Sequence, residues 1–166
     1  MRTVSVEELS VAGFLPFGYY SHMINPQAVK IGAPPVEFFR DMTQLDLGSA
    51  TKASFSTCRV EHRDNIIHVT ECHSSTGEGI LPLDNDVLIH VGPATPPGTD
   101  IPLDEIRVFR VPRGTMVVLR PGVWHHAPFT VDDDPANVLI VLPERAYASD
   151  CKVVTLAEED WIRVKR

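Results

Sequence analysis

Fourteen prolines and ten glycines are spread along this 166-residue chain, from Gly13 to Pro143. Proline removes an intrahelical hydrogen bond and clashes with the turn before it, so this distribution argues against a helical bundle or coiled coil. It permits a chain that turns often between short elements. From Lys52 onward the sequence has that form, with β-rich runs bounded by turn residues at the spacing of a sandwich or barrel. The expected strands are Ala53–Val60, Ile66–His73, Gly79–Leu83, Val87–Val91, Ile106–Val111, Met116–Leu119, Val123–Phe129, Val138–Leu142 and Val153–Leu156. Nine strands in one small domain predict an all-β barrel or jelly roll. Asp84-Asn85-Asp86 has the chemistry of a hairpin turn between the third and fourth strands. Gly92–Pro102, with four prolines and two glycines, reads as a long ordered loop over a barrel mouth.

The length fits a single domain. Ser5-Val6-Glu7-Glu8 has the form of a capping box and predicts a short helix that starts there and ends before Pro16 or Gly18. On this reading residues 1–50 form an N-terminal covering segment, 51–156 the barrel and 157–166 a C-terminal tail. Adjacent Phe38 and Phe39 suggest packing or a subunit contact.

Fifteen Lys and Arg against 22 Asp and Glu give a net charge of −7, which weighs against a nucleic-acid partner because phosphate neutralisation needs a basic face. No apolar run reaches the roughly 18–20 residues of a membrane span, and the first residues lack the apolar core of a signal peptide. A cytoplasmic location without membrane contact is expected. Cys58, Cys72 and Cys151 are widely spaced and form no Cys-x-x-Cys, so reduced thiols are expected.

Two segments carry the chemistry. In an unbroken strand Ile67, Val69, Glu71 and His73 share one side, and the apolar pair turns that side, with Glu71 and His73, toward the barrel interior. A buried carboxylate beside an imidazole must pair, bind a metal or meet a ligand. The pattern leaves open a structural Glu–His hydrogen bond and a functional pair. Cys72 then faces away, as an inert thiol. The second segment, Pro121-Gly122-Val123-Trp124-His125-His126, is a turn that leads into a strand. Adjacent histidines point opposite ways, so His125 is expected to join Glu71 and His73 while His126 sits on the other face. Trp124 reads as core or interface, and its place beside His125 makes it a candidate substrate contact. His22, His62, His68 and His90 have no partners at a readable spacing and are expected to be structural.

These segments resemble, in part, the two motifs of the cupin superfamily. Glu71-Cys72-His73 stands where that pattern has His-x-His, Glu78 stands at its Glu, and His125 lies three residues after Gly122. The chain is more similar to the ureidoglycolate lyase family, a cupin-like group. Glu71 and His73, Ile80-Leu81-Pro82, Ile106-Arg107-Val108-Phe109, the Trp124-His125-His126-Ala127-Pro128 strand and Asp150-Cys151 resemble that family's pattern. Phe14, Phe17-Gly18 and Ile24-Asn25 echo its start. Cys72 replaces the family's basic residue, Ser74 its proline, and Glu78 its glutamine.

The resemblance implies a cupin-like fold and a carbon–nitrogen lyase of the amidine-lyase type. Such an enzyme cleaves ureidoglycolate to glyoxylate and urea in purine and allantoin catabolism. It further implies Glu71, His73 and His125 as catalytic groups, and Arg107 and Trp124 as contacts for a small anionic metabolite. Glu78 completes a metal set of Glu71, His73, Glu78 and His125 suited to divalent Mn, Fe, Ni or Zn. A homodimer is implied too. The alternatives are a metal-dependent cupin of another class, such as an isomerase or oxygenase, and a non-catalytic small-molecule-binding cupin.

Overall fold

In the computed structural model, which describes residues 1–166, the chain forms sixteen β-strands and two single-turn α-helices. Strand β1 (Arg2–Glu8), helix α1 (Val11–Phe14) and β2 (Gly18–His22) open it, followed by β3 (Lys30–Ala33) and β4 (Val36–Phe39). The middle holds β5 (Ala53–Val60), β6 (Ile66–Ile67), β7 (Val69–Cys72), β8 (Glu78–Pro82) and β9 (Val87–Gly92). Next come β10 (Arg107–Val111), β11 (Thr115–Leu119), β12 (Trp124–His125), β13 (Phe129–Thr130) and β14 (Ala136–Pro143). Helix α2 (Ala146–Ser149), β15 (Lys152–Thr155) and β16 (Ile162–Lys165) complete it.

The strands form two main sheets. The larger has the order β15, β7, β12, β9, β10, β1, β16, β6, with β13 also on β9; the smaller has the order β2, β11, β8, β14, β5. Strands β3 and β4 make a separate hairpin. Between the sheets lies the main core, with Val87, Ile89, Val91, Phe109 and Val111 from one side and Ile80, Val117, Leu119, Val138 and Ile140 from the other. Alternation along each strand selects these residues, and each such side chain contributes roughly 1.5–3 kcal/mol on full burial. The larger sheet also curls back on itself, because β6 and β7 stand far apart in its order yet only His68 separates them in sequence. The curl encloses a second core of Ile67, Leu88, Val108, Phe129, Ile162 and Val164.

Five expectations change. The predicted helix at Ser5 is part of strand β1, where Val4 and Val6 alternate with polar neighbours and pack on the second core. Parallel pairing with β10 (Val6 to Val108) and β16 (Val4 to Val164) satisfies its backbone, which one helical turn could not do. Helix α1 starts later, with the Ser10 hydroxyl accepting from the Gly13 N–H at 3.1 Å. The expected C-terminal tail contains β16, whose Ile162 and Val164 face the second core. The 1–50 segment likewise does more than cover, since β1 and β2 are integral to the two sheets.

Asp84-Asn85-Asp86 does not close a hairpin. It carries the chain from β8 in the smaller sheet to β9 in the larger, and the Asp84 carboxylate accepts from the backbone of Asn85 and Asn137. The expected strand Ile66–His73 breaks at His68. Ile67 therefore serves the second core while Glu71 faces the first, and the predicted common side is lost. No helix is long and apolar enough to cross a membrane.

Candidate active site

Val91, His125 and Glu71 lie side by side across β9, β12 and β7, so the three side chains share the face turned to the main core. His73 follows the end of β7. Glu78 opens β8 in the opposite sheet, on the same side of its strand as core residue Ile80. Convergence of the two sheets thus brings Glu71, His73, Glu78 and His125 together. His73, Glu78 and His125 are only 2%, 6% and 3% exposed, so their charges have to be answered from within the protein.

They are answered by one another. His73 Nε2 and His125 Nε2 lie 3.0 and 2.9 Å from the same Glu78 oxygen, Oε2. Behind them, His73 Nδ1 donates to the Asp150 carbonyl at 2.5 Å and His125 Nδ1 to the Val123 carbonyl at 2.8 Å. Burial alone would raise the Glu78 carboxyl, but the His125 charge and the hydrogen bonds from both imidazoles outweigh it and hold the pKa at about 2. Burial also opposes the charged imidazoles. The Glu78 hydrogen bond for His73, and the Glu78 charge for His125, prevail and raise both above the ordinary histidine value.

Three groups that the sequence did not single out for the site come from the segment before β15. The Asp150 carboxylate accepts from Ser74 N at 2.8 Å, Ser74 Oγ at 2.6 Å, Ser75 N at 2.9 Å and Thr76 Oγ1 at 3.3 Å. It therefore ties down the loop that carries His73. Cys151 Sγ donates to Glu71 Oε2 at 3.6 Å, and burial together with the Glu71 charge pushes the thiol up to about 11. Tyr147 on α2 is 60% exposed at the edge of this segment, and the burial of the rest of its ring, with the Glu78 and Glu71 charges, pushes its hydroxyl up to about 12. Asp150-Cys151 was visible only as part of the family resemblance; the pairing of Val153 with Glu71 is what delivers it.

The structure does not bring every candidate into the cluster. Arg107 lies in the same cross-strand row, beyond Val91, but its guanidinium donates to both Glu7 oxygens and, at 2.7 Å, to the Gly13 carbonyl. It holds β1 and α1 on the sheet and is not free to bind a substrate carboxylate. Trp124 points to the opposite side from His125, where its Nε1 donates to Thr95 Oγ1 at 3.0 Å and Lys152 Nζ stands 5.1 Å from its ring centroid. Both departures from the expected substrate contacts have local causes: an available carboxylate at Glu7, and strand alternation.

The arrangement suits a metal ion. Donor atoms of Glu71, His73 and His125 lie within 4.8 Å of one another, and Glu78 supplies a fourth donor between the imidazoles. The two Nδ1–H bonds to backbone carbonyls fix the rings and aim both Nε2 atoms at the cluster, the outer support that metal-ligating histidines require. Two imidazoles and two carboxylates form a mixed N/O set of the kind that can hold a divalent ion.

Two packed, curled sheets with a buried His/carboxylate set between them define a cupin-type barrel. A dTDP sugar isomerase from Desulfovibrio desulfuricans G20 shares this fold, with a TM-score of 0.52 and 15% identity over 87% of this chain and 89% of that one. A Bacillus subtilis oxalate decarboxylase variant aligns with a TM-score of 0.43 and 17% identity over 63% of this chain; the match spans about a quarter of that longer protein (24%). The sequence narrows the class: the chain belongs to the ureidoglycolate lyase family, whose pattern matches residues 1–163. It is also similar to the ureidoglycolate lyase of Azotobacter vinelandii, with 22% identity over 169 aligned residues, 100% of this chain and 99% of the relative.

Proposed function

We propose that the protein is a carbon–nitrogen lyase of the amidine-lyase type that cleaves ureidoglycolate to glyoxylate and urea. The observation that carries this reading is the convergence of Glu71, His73, Glu78 and His125 in a chain matched by the lyase family over residues 1–163. A base removes the hydroxyl proton of the carbinolamine, the carbon–oxygen double bond forms, the carbon–nitrogen bond breaks, and an acid protonates the departing urea nitrogen. Glu71 is the base. His73 and His125, drawn toward their protonated forms by Glu78, are the proton donors. Such help contributes on the order of 10²–10⁴-fold for each group.

The substrate is an anion, yet the cluster holds two carboxylates and Arg107 is engaged elsewhere. Glu71, His73, Glu78 and His125 would hold a divalent ion; with it bound these side chains would serve as ligands rather than as base and proton donors, and the ion would supply the Lewis-acid charge to bind a carboxylate and polarise the hydroxyl in their place. Folded protein loaded with Mn²⁺, Ni²⁺ or Zn²⁺ and mixed with racemic ureidoglycolate should release glyoxylate and urea in equal amounts. Absence of turnover with every ion would overturn the reading. A second reading, a metal-dependent enzyme of another class, is favoured by Glu78, where the family has glutamine. It gains ground if one ion binds per chain while ureidoglycolate stays intact.

We further propose a cytoplasmic homodimer. Ile31, Val36 and Phe38 of the β3–β4 hairpin are 59%, 74% and 63% exposed, an apolar surface suited to a second copy. Light scattering should give twice the mass of the 18.4 kDa chain.

A further inference from the structure

A cavity of about 220 Å³ lies on the other side of the larger sheet from the Glu71 cluster, lined by Arg63, His68, His90, His126 and Phe129 with four further residues. The proposed lyase chemistry uses none of these side chains. Their convergence follows from alternation: Ile89 and Val91 of β9 enter the main core, so His90 between them turns the opposite way. The break after β12 brings His126 to the same side, and the β5–β6 connection delivers Arg63.

Two side chains that line this cavity have hydrogen-bonding capacity left unused. The Arg63 guanidinium stacks over Phe129, with its carbon 4.3 Å from the ring centroid, and donates one hydrogen bond, to the Ala127 carbonyl at 2.9 Å. No carboxylate pairs with it; burial is the main influence on its charge and lowers its pKa. His90 is wholly buried and neutral, its pKa pushed down to about 3 by burial and the neighbouring positive groups. The Thr70 hydroxyl donates to the His125 carbonyl at 3.2 Å, so it accepts from His90 Nε2 at 3.3 Å. That assigns the proton to Nε2 and leaves Nδ1 as an acceptor. Nδ1 is buried and has no hydrogen-bond partner.

We propose that this cavity is a second binding site, for a small carboxylate that also carries an N–H or O–H donor. The carboxylate matches the free N–H groups of Arg63 in the bidentate manner typical of guanidinium. The donor satisfies His90 Nδ1, which a simple acceptor anion cannot do. The aromatic and aliphatic wall formed by Phe129, Ile67 and Val69 covers the remainder of a small ligand. The site stands apart from the lyase proposal and does not depend on it. Through Thr70 its occupant lies one hydroxyl away from the backbone of His125.

The test is calorimetry on the full-length, EDTA-treated protein with oxamate, which has a carboxylate and an amide donor, and acetate, which has only the carboxylate. Oxamate should bind once per chain and at least about tenfold more tightly than acetate. Arg63→Met should weaken oxamate at least about tenfold, His90→Leu should abolish its advantage over acetate, and Glu71→Gln should change neither. Wild-type affinity in Arg63→Met, loss of binding in Glu71→Gln, or no binding at millimolar oxamate would each overturn the proposal. Should His90→Leu fail to fold, a crystal of the wild-type protein soaked in oxamate decides. A carboxylate on Arg63 with the amide toward His90 supports the site; density confined to the Glu71 cluster refutes it.

Discussion

Replacing Asp150 by alanine removes a clamp without touching the Glu78–histidine cluster. Three of its four hydrogen bonds are short, at 2.8, 2.6 and 2.9 Å, and all four end on residues 74–76 of the loop after His73. A hydrogen bond to a charged acceptor contributes about 1.5–3 kcal/mol when shielded, but this carboxylate is partly open to water. Discounting each short bond to about 1 kcal/mol gives a destabilisation of about 3 kcal/mol for Asp150→Ala. Asp150→Asn, which keeps one acceptor oxygen, should recover about half of that. Burial raises the Asp150 carboxyl, but its bonds to Ser74 and Ser75 prevail and hold it below the ordinary 3.8. The stabilisation is therefore complete above pH 3.8 and is lost as the pH falls through the lower folded value. Urea unfolding at pH 7 and pH 3 checks both statements, and ureidoglycolate turnover should drop about 10–100-fold because His73 loses its support. A loss below about 1 kcal/mol at pH 7 with unchanged turnover would refute the clamp.

Three other outcomes follow from the same geometry. In EDTA-treated protein, the depression of Glu78 from 4.5 to about 2 corresponds to roughly 3 kcal/mol, present above pH 4.5 and lost on acidification toward 2. The raised His73 and His125 contribute stability that is complete below pH 6.5 and fades above their folded values, so Glu78→Gln should flatten both limbs of a stability–pH curve. Gly18→Ala should cost more than about 3 kcal/mol or prevent folding, because its Cβ would lie 1.9 Å from the Val118 carbonyl oxygen; thermal unfolding reads this out. Arg107→Met should lower the thermal midpoint by several degrees through loss of the Glu7 pair, while the KM for ureidoglycolate stays unchanged; a large rise in KM would restore Arg107 as a substrate contact.

Local alternation made much of the barrel legible. Ala53–Val60 forms a strand over that same range, and the runs at Gly79–Leu83, Val87–Val91 and Met116–Leu119 differ from the observed strands only at their ends. The sequence was misleading where a local signal competed with distant pairing. Ser5 and Glu8 match a capping box, but Val4 and Val6 gain more by filling the slot between β10 and β16. Asp84-Asn85-Asp86 has turn residues, and nothing in them specifies that the flanking strands belong to different sheets. The convergence of Glu71, His73, Glu78 and His125 was readable in part: strand parity separates His125 from His126 and two-residue spacing sets Glu71 beside His73, whereas the inward turn argued from Ile67 rested on a strand that breaks at His68, and Glu78 was placed by the resemblance to the cupin motif. Asp150, Cys151, Tyr147 and Arg63 were not readable as neighbours of either pocket, since they arrive through contacts made by distant strands.

The parallel pairing of β1 with β16 has a consequence for how the chain is made. Strand β1 lies between two strands made much later than itself, β10 and β16, so the ring of the larger sheet stays open until Lys165 is available. Until then one edge of β1 and the apolar faces of Val4 and Val6 have no cover, and the nascent protein exposes a template for mispairing. Deleting Ile162–Arg166 should therefore increase aggregation during synthesis.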